Sequence, residues 1–258
     1  MSVYRVRVTD LPPFGARLAR LLEHRGLRAA GLAEAAGVLL ARIDAVLGGG
    51  VPDDPLLRRL APTLGLHAAD LFLIAARGVP DDLAPAELNG SDEVGSLLIW
   101  GAHTMDVQAR ARLRRFVDGL PSRARPRTRP FPSDGRRSVT PGLILRRLLS
   151  NRNIRINGVL LQELGGGRHL DTETYALACA GRLPLDDDCV NAFARVTAIP
   201  VGELAALLGL RVAELPWDMR YPWPADLVEL AWAARRLDDE QLRAALHYRD
   251  GLRNAGGC

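Results

Sequence analysis

One unit is written twice along this chain of 258 residues, and that repetition constrains the fold more than any other feature. Leu18-Ala19-Arg20-Leu21-Leu22 matches Leu145-Arg146-Arg147-Leu148-Leu149, and Arg25-Gly26-Leu27 then matches Arg152-Asn153-Ile154. Gly49-Gly50-Val51-Pro52 pairs with Gly181-Arg182-Leu183-Pro184, Leu60-Ala61 with Phe193-Ala194, and Asp70-Leu71 with Glu203-Leu204. The copies close alike, on Phe116-Val117-Asp118-Gly119-Leu120 and Tyr248-Arg249-Asp250-Gly251-Leu252. The offset begins at about 127 residues and settles near 132, which predicts about five extra residues in one loop of the second copy. Matches that keep their order over such a length point to one structural unit used twice.

The periodicity within each copy is helical. Phe14, Leu18, Leu21 and Leu22 recur at helix spacing and stop at Gly26. Short helices are predicted over 29–36 and 40–47, with a fourth after Pro52-Asp53-Asp54 and a fifth opened by 66–71. Two more fall in 91–119, with Thr104 as N-cap of the second. The second copy repeats the scheme over 143–151, 159–164, 171–179, 186–197 and 202–208. Its tail, 224–236 and 238–252, forms a hairpin whose last arm opens on an Asp238/Gln241 capping box. Leu and Ala dominate, and aromatic residues make up only 5% of the chain, which favours helix over sheet.

Every one of the 34 basic residues is Arg. The absence of Lys removes the phosphate-loop lysine and Schiff-base chemistry. The formal charge of +4 is unevenly spread: 110–147 holds twelve Arg against Asp118 and Asp134. Within it, 121–130 carries Pro every few residues and reads as an extended linker with projecting Arg. Two readings of this basic middle stand side by side, a solvated linker and an arm that meets nucleic-acid phosphates. The N-terminus lacks the apolar core of a signal peptide, and no stretch has the length of a membrane span, so a cytoplasmic chain is expected. Cys179 and Cys189 fall where small buried residues fit, Cys258 is terminal, and the three form no zinc-type spacing.

Leu32-Ala33, then Ala36-Gly37-Val38, then Ile43 and Val46 spell a helix, a glycine turn and a second helix. Small residues there let two helices cross closely, and in a DNA-binding helix-turn-helix the second helix enters the major groove. On these residues the chain resembles the XRE (lambda-repressor-like) family of bacterial transcription regulators, in its actinobacterial two-copy form. The resemblance is carried further by Gly65-Leu66-His67-Ala68-Ala69-Asp70-Leu71-Phe72, by Val79-Pro80-Asp81-Asp82-Leu83-Ala84-Pro85, by Leu148-Leu149-Ser150-Asn151-Arg152-Asn153, and by Thr172-Glu173-Thr174-Tyr175 through Gly181-Arg182. It spans nearly the whole chain, and it implies the family's fold and DNA-binding role.

Departures from the family pattern divide the copies. Where family members open the second helix on Thr or Ser followed by Gln, this chain has Arg28 and Ala29. Its third helix opens on Leu39-Leu40-Ala41-Arg42, and Leu and Ala cannot read hydrogen-bonding base edges. Arg28 and Arg42 are the remaining candidate contacts there, and a structural or protein-contact role is favoured for this copy. In the second copy Asp171 caps the third helix, leaving Thr172 and Thr174 on its first turn between Arg168 and Arg182. Hydroxyl and guanidinium groups serve phosphates and bases. Tyr175 aligns with buried-type Ile43 and reads as core. In the linker, Arg123, Arg125, Arg127 and Arg129 are the candidate arm.

The five His are scattered, and Asp186-Asp187-Asp188 lies at a helix start, where carboxylates cap free N–H groups. No catalytic constellation, cofactor or metal site is expected. Trp217, Trp223 and Trp232 are read as packing the tail hairpin on the second core. The expected architecture is all-α, with two tandem lambda-repressor-like helix-turn-helix domains, each followed by a helical hairpin. The boundaries are 1–88, 89–121 (hairpin), 122–140 (linker), 141–216 and 217–258 (hairpin). The expected activity is sequence-specific binding of double-stranded DNA for transcription regulation. The alternative is a degenerate helix-turn-helix serving as a protein-interaction module, for another protein or a second copy of itself.

Overall fold

The computed structural model describes residues 11–87, 92–123, 139–165, 170–213 and 225–255, with backbone alone at 92–97 and 163–165. They form an all-helical structure of fourteen helices. In chain order these are α1 (Phe14–His24), α2 (Ala29–Ala36), α3 (Leu40–Leu47), α4 (Asp54–Thr63), α5 (Ala68–Ile74), α6 (Asp92–His103) and α7 (Val107–Gly119). The same scheme recurs as α8 (Pro141–Ser150), α9 (Gly158–Gly165), α10 (Thr172–Cys179), α11 (Asp187–Thr197), α12 (Val201–Leu208), α13 (Ala225–Ala234) and α14 (Asp239–Ala255). Among the described residues no single helix is long and apolar enough to cross a membrane.

The local chemistry of each copy explains its breaks. Asp53 and Asp186 cap the equivalent helices α4 and α11, accepting from the amides of Leu56 and Cys189. Asp238 and Gln241 exchange hydrogen bonds at the start of α14, the expected capping box. Thr104 is not the cap of α7: its hydroxyl donates to the Gly101 carbonyl, and Asp106, two residues on, accepts from Ala109 N–H. Gly15 opens α1 where an added Cβ would lie 1.9 Å from the Val46 carbonyl oxygen, so α1 and α3 touch at the backbone. Its counterpart Gly142 does the same for α8 and α10, with Ala178 and Cys179 at 2.7 Å.

The three non-glycine residues with left-handed backbone, Asn153, Ala198 and Ala76, each match a left-handed glycine of the other copy, Gly26, Gly65 and Gly209. Backbone geometry is thus repeated where the side chain is not. The extra residues are shared by three loops, because equivalent helices start 127 residues apart at α1/α8, 129 at α2/α9, 132 at α3/α10 and 133 at α4/α11.

The copies interlock. Helix α1 packs on α12 and α8 packs on α5, so the first helix of each copy lies against the fifth of the other. Arg25 donates to Glu203 at 2.5 Å and to the Leu64 carbonyl at 2.8 Å. Arg152 reproduces this with Asp70 at 2.8 Å and the Thr197 carbonyl at 3.0 Å. All four partners are equivalent positions, the signature of a two-fold relation between the copies. The hairpins α6–α7 and α13–α14 pack on each other, and the equivalent rings of Phe116 and Tyr248 stack face to face, 4.3 Å between centroids. The tail hairpin packs on the first hairpin and also holds the second core, where Arg235 donates to the Asn151 carbonyl at 2.6 Å and its own carbonyl accepts from Asn153 at 3.1 Å. Trp232 stacks on His67 of the first copy at 3.5 Å between centroids, and the guanidinium of Arg152 in the second copy lies 5.3 Å from the same indole, so this ring touches both copies. Trp217 and Trp223 lie outside the described residues.

Candidate nucleic-acid interface

Helices α2 and α3 meet through Gly37, whose left-handed backbone (φ 62°) reverses the chain while Leu32, Ala33, Ile43 and Val46 bury the crossing. The outward side of that crossing begins at Arg28, the extended N-cap residue of α2, exposed and without a side-chain partner among the described residues. Arg42 projects from α3 but is held by Asp53, with both carboxylate oxygens within 2.6 Å of its Nη2. Its charge is spent on the cap of α4. Arg59 is likewise engaged, donating to the Gly37 carbonyl at 2.9 Å. Leu39 at the start of α3 is 74% exposed, Leu40 42% and Val51, beyond its end, 74%. Three large apolar side chains thus stand in solvent around the helix that would enter a groove.

The second copy offers a different surface. Asp171 caps α10 by accepting from Thr174 N–H at 2.7 Å. Hydrogen bonds from the Thr174 amide and hydroxyl hold this carboxyl below the usual carboxylate range. The Thr174 hydroxyl donates its proton to Asp171 at 3.0 Å, so only its lone pairs remain available. Thr172 has the opposite disposition. Its hydroxyl accepts from Gly158 N–H at 2.9 Å, tying α10 to the start of α9, and its proton has no acceptor among the described residues, which suits donation to a phosphate oxygen.

Arg182 follows α10 on an exposed turn, with no side-chain partner among the described residues. Tyr175 is fully buried against Phe193, and burial pushes its phenol upward. Cys179 and Cys189 are buried beside it. Burial raises the Cys179 thiol to about 12, which makes it chemically inert.

Of the linker residues, Arg123 is described. It pairs with Asp238 at 3.1 Å and Glu240 at 2.7 Å, so the beginning of the linker is fastened to the start of α14. Arg125, Arg127, Arg129 and Arg168 lie outside the described residues. Of the cations singled out from the sequence, Arg28 and Arg182, one on each copy, have no acidic partner among the described residues, while Arg42 and Arg123 are neutralised in place. Among the described residues no cluster of His, Cys, Asp and Glu has the arrangement of a metal site.

Two groups escaped the sequence reading. The repeat matches Arg25/Arg152 and Asp70/Glu203 were visible, but that each Arg meets the other copy's acid was not. Arg17 was also visible as a cation on the apolar stripe of Phe14, Leu18 and Leu21, and it proves almost wholly buried. No family model, curated protein or solved structure matches the chain.

Proposed function

We propose that the chain is a sequence-specific regulator of transcription, binding double-stranded DNA in the cytoplasm through a duplicated helix-turn-helix of the XRE (lambda-repressor-like) type, without enzymatic activity. The observation that carries this reading is the pair of helix–turn–helix crossings, α2–α3 and α9–α10, held in one chain by reciprocal contacts between equivalent residues. Regulators that read DNA with this motif usually reach a two-headed form by dimerising. Here the reciprocal seam supports the same form within one polypeptide.

Contact is assigned chiefly to the second copy. Among the described residues the Thr172 hydroxyl proton at the start of α10 and the Arg182 guanidinium just past its end have no acceptor. Donors of this kind take phosphate oxygens and acceptor base edges. The net charge of the five-helix units is small: 12–78 has eight Arg and six acids, 141–210 seven of each. Affinity then rests on a few phosphate contacts and a shallow salt dependence.

A second reading is favoured by one observation. Leu39, Leu40 and Val51 are exposed around α3 while Arg42 is neutralised. An exposed apolar cluster at that place suits a protein partner better than a groove. The two readings divide between the copies, with DNA on the second and protein on the first.

The experiment is a genome-wide pull-down of tagged protein with sequencing of bound DNA, run beside Thr172→Ala, Thr174→Ala, Arg182→Ala in one variant. Discrete peaks that vanish in the variant are the expected result, and circular dichroism must show the variant folded. An absence of enrichment with wild-type protein would leave only the interaction reading.

A further inference from the structure

Arg17 is 1% exposed. Its Nε donates to the Pro12 carbonyl at 2.7 Å, and its Nη1 donates to the Ile74 and Leu207 carbonyls at 2.6 and 2.7 Å. Ile74 and Leu207 are equivalent residues in the last turns of α5 and α12. A single guanidinium thus bridges the C-terminal ends of one helix from each copy. Arg is almost never fully buried without a carboxylate, yet among the described residues Arg17 has no carboxylate partner and Nη2 donates to nothing. Burial alone lowers its pKa to about 10. The helix-end carbonyls supply partial negative charge but no counter-ion.

Beside this group is a cavity of about 400 Å³, lined by Arg17 itself with Leu11, Pro12, Phe14, Ala75, Ala76 and Val139. That volume lies within the usual range of small-molecule pockets, roughly 300–1,000 Å³. Its lining side chains are apolar apart from the guanidinium, while polar groups make up the larger part of its exposed wall. Ala76 holds a left-handed backbone (φ 57°) in the wall, whereas its counterpart Gly209 adopts the same conformation without strain. Strained backbone of this kind gathers at ligand sites. The counterpart of Arg17 in the second copy is Ile144, a buried aliphatic residue, so the seam carries this charge once.

We propose that this cavity binds a small organic acid, an apolar body bearing one carboxylate, whose oxygens accept from Nη2 of Arg17 while its hydrocarbon covers Phe14, Ala75 and Val139. A charge-assisted bond out of water is stronger than its counterpart at the surface, and the acid supplies a counter-ion that Arg17 does not find among the described residues. The lining comes from the start of α1, from Ala75 and Ala76 after α5, and from Val139 ahead of α8, so an occupant touches both copies.

The test uses the full chain with octanoate and benzoate as probes, and octanamide and benzamide as neutral matches of the same shape. Binding is read by calorimetry and by the thermal midpoint. Expected is a saturable rise of roughly 5 °C with at least one acid, and at least tenfold weaker binding of its amide. Arg17→Met removes the guanidinium but also three buried hydrogen bonds, so it counts only where circular dichroism shows it folded. Val139→Trp, which fills the cavity from its half-buried rim, should melt normally in buffer and lose the response. The proposal is overturned if neither acid gives a saturable shift, if the amides bind as tightly as the acids, or if folded Val139→Trp binds like the wild type.

Discussion

His67 precedes α5 and lies flat on Trp232, planes 6° apart, while the guanidinium of Arg235 sits 4.3 Å from the centroid of the same indole. Burial lowers the His67 pKa below the ordinary 6.5, and Arg152 and Arg235 push it the same way against Asp70 and Glu229. The folded state therefore prefers the neutral ring. Its stabilising contribution is complete above the unfolded value and is lost as pH falls below about 6.5 towards the folded one. His67→Phe keeps the stack and removes the titration. The thermal midpoint of the wild type should drop between pH 7.5 and 5.5 by more than that of the variant. Parallel curves would show that this imidazole does not control the junction. Trp232 also shows where residue-scale reading stopped: a tryptophan at helical spacing announces burial, but its covering surface belongs to a helix some 160 residues earlier in the chain.

Between elements, the two reciprocal ion pairs have the same geometry and different surroundings. Arg152 and Asp70 are each 1% exposed, and Asp70 also accepts from Asn151 at 2.7 Å. Arg25 and Glu203 are 20% and 15% exposed. Removing one partner of a buried pair strands the other charge, at a cost of about 3–5 kcal/mol, whereas a pair reached by water is worth about 1 kcal/mol or less. Asp70→Asn should accordingly cost about 3 kcal/mol and Glu203→Gln no more than about 1 kcal/mol, measured from urea midpoints at constant m-value. Equal costs would mean that burial does not set the strength of these pairs.

Helices were the legible part of this scale. Prolines, glycines and capping aspartates mark their ends locally, which is why Asp171, Asp186 and the Asp238/Gln241 box stand where their spacing put them. Thr104 was the expected cap of α7, but Asp106, two residues on and the stronger N-cap type, takes that place. The candidate site was legible in its residue types alone. That Asp53 neutralises Arg42, or that Thr172 and Thr174 direct their protons oppositely, follows from packing angles that a one-dimensional pattern does not carry.

At the scale of the molecule, each copy buries part of its apolar surface only against the other: α1 on α12, α8 on α5, and the two hairpins together. Such a body has no subset of helices with a complete core of its own. A single cooperative unfolding transition is expected, with far-ultraviolet circular dichroism and tryptophan fluorescence giving coincident curves. Two separated transitions would show that the copies fold as independent domains. The face-to-face pair Phe116 and Tyr248 adds a further consequence. In a protein assembled from two identical subunits, one codon sets both residues that meet on the axis, and every change arrives twice. In this chain the two sides of the axis are inherited separately. One side became Phe and the other Tyr, Arg17 faces no second Arg, and either half is free to acquire a task that the other does not share.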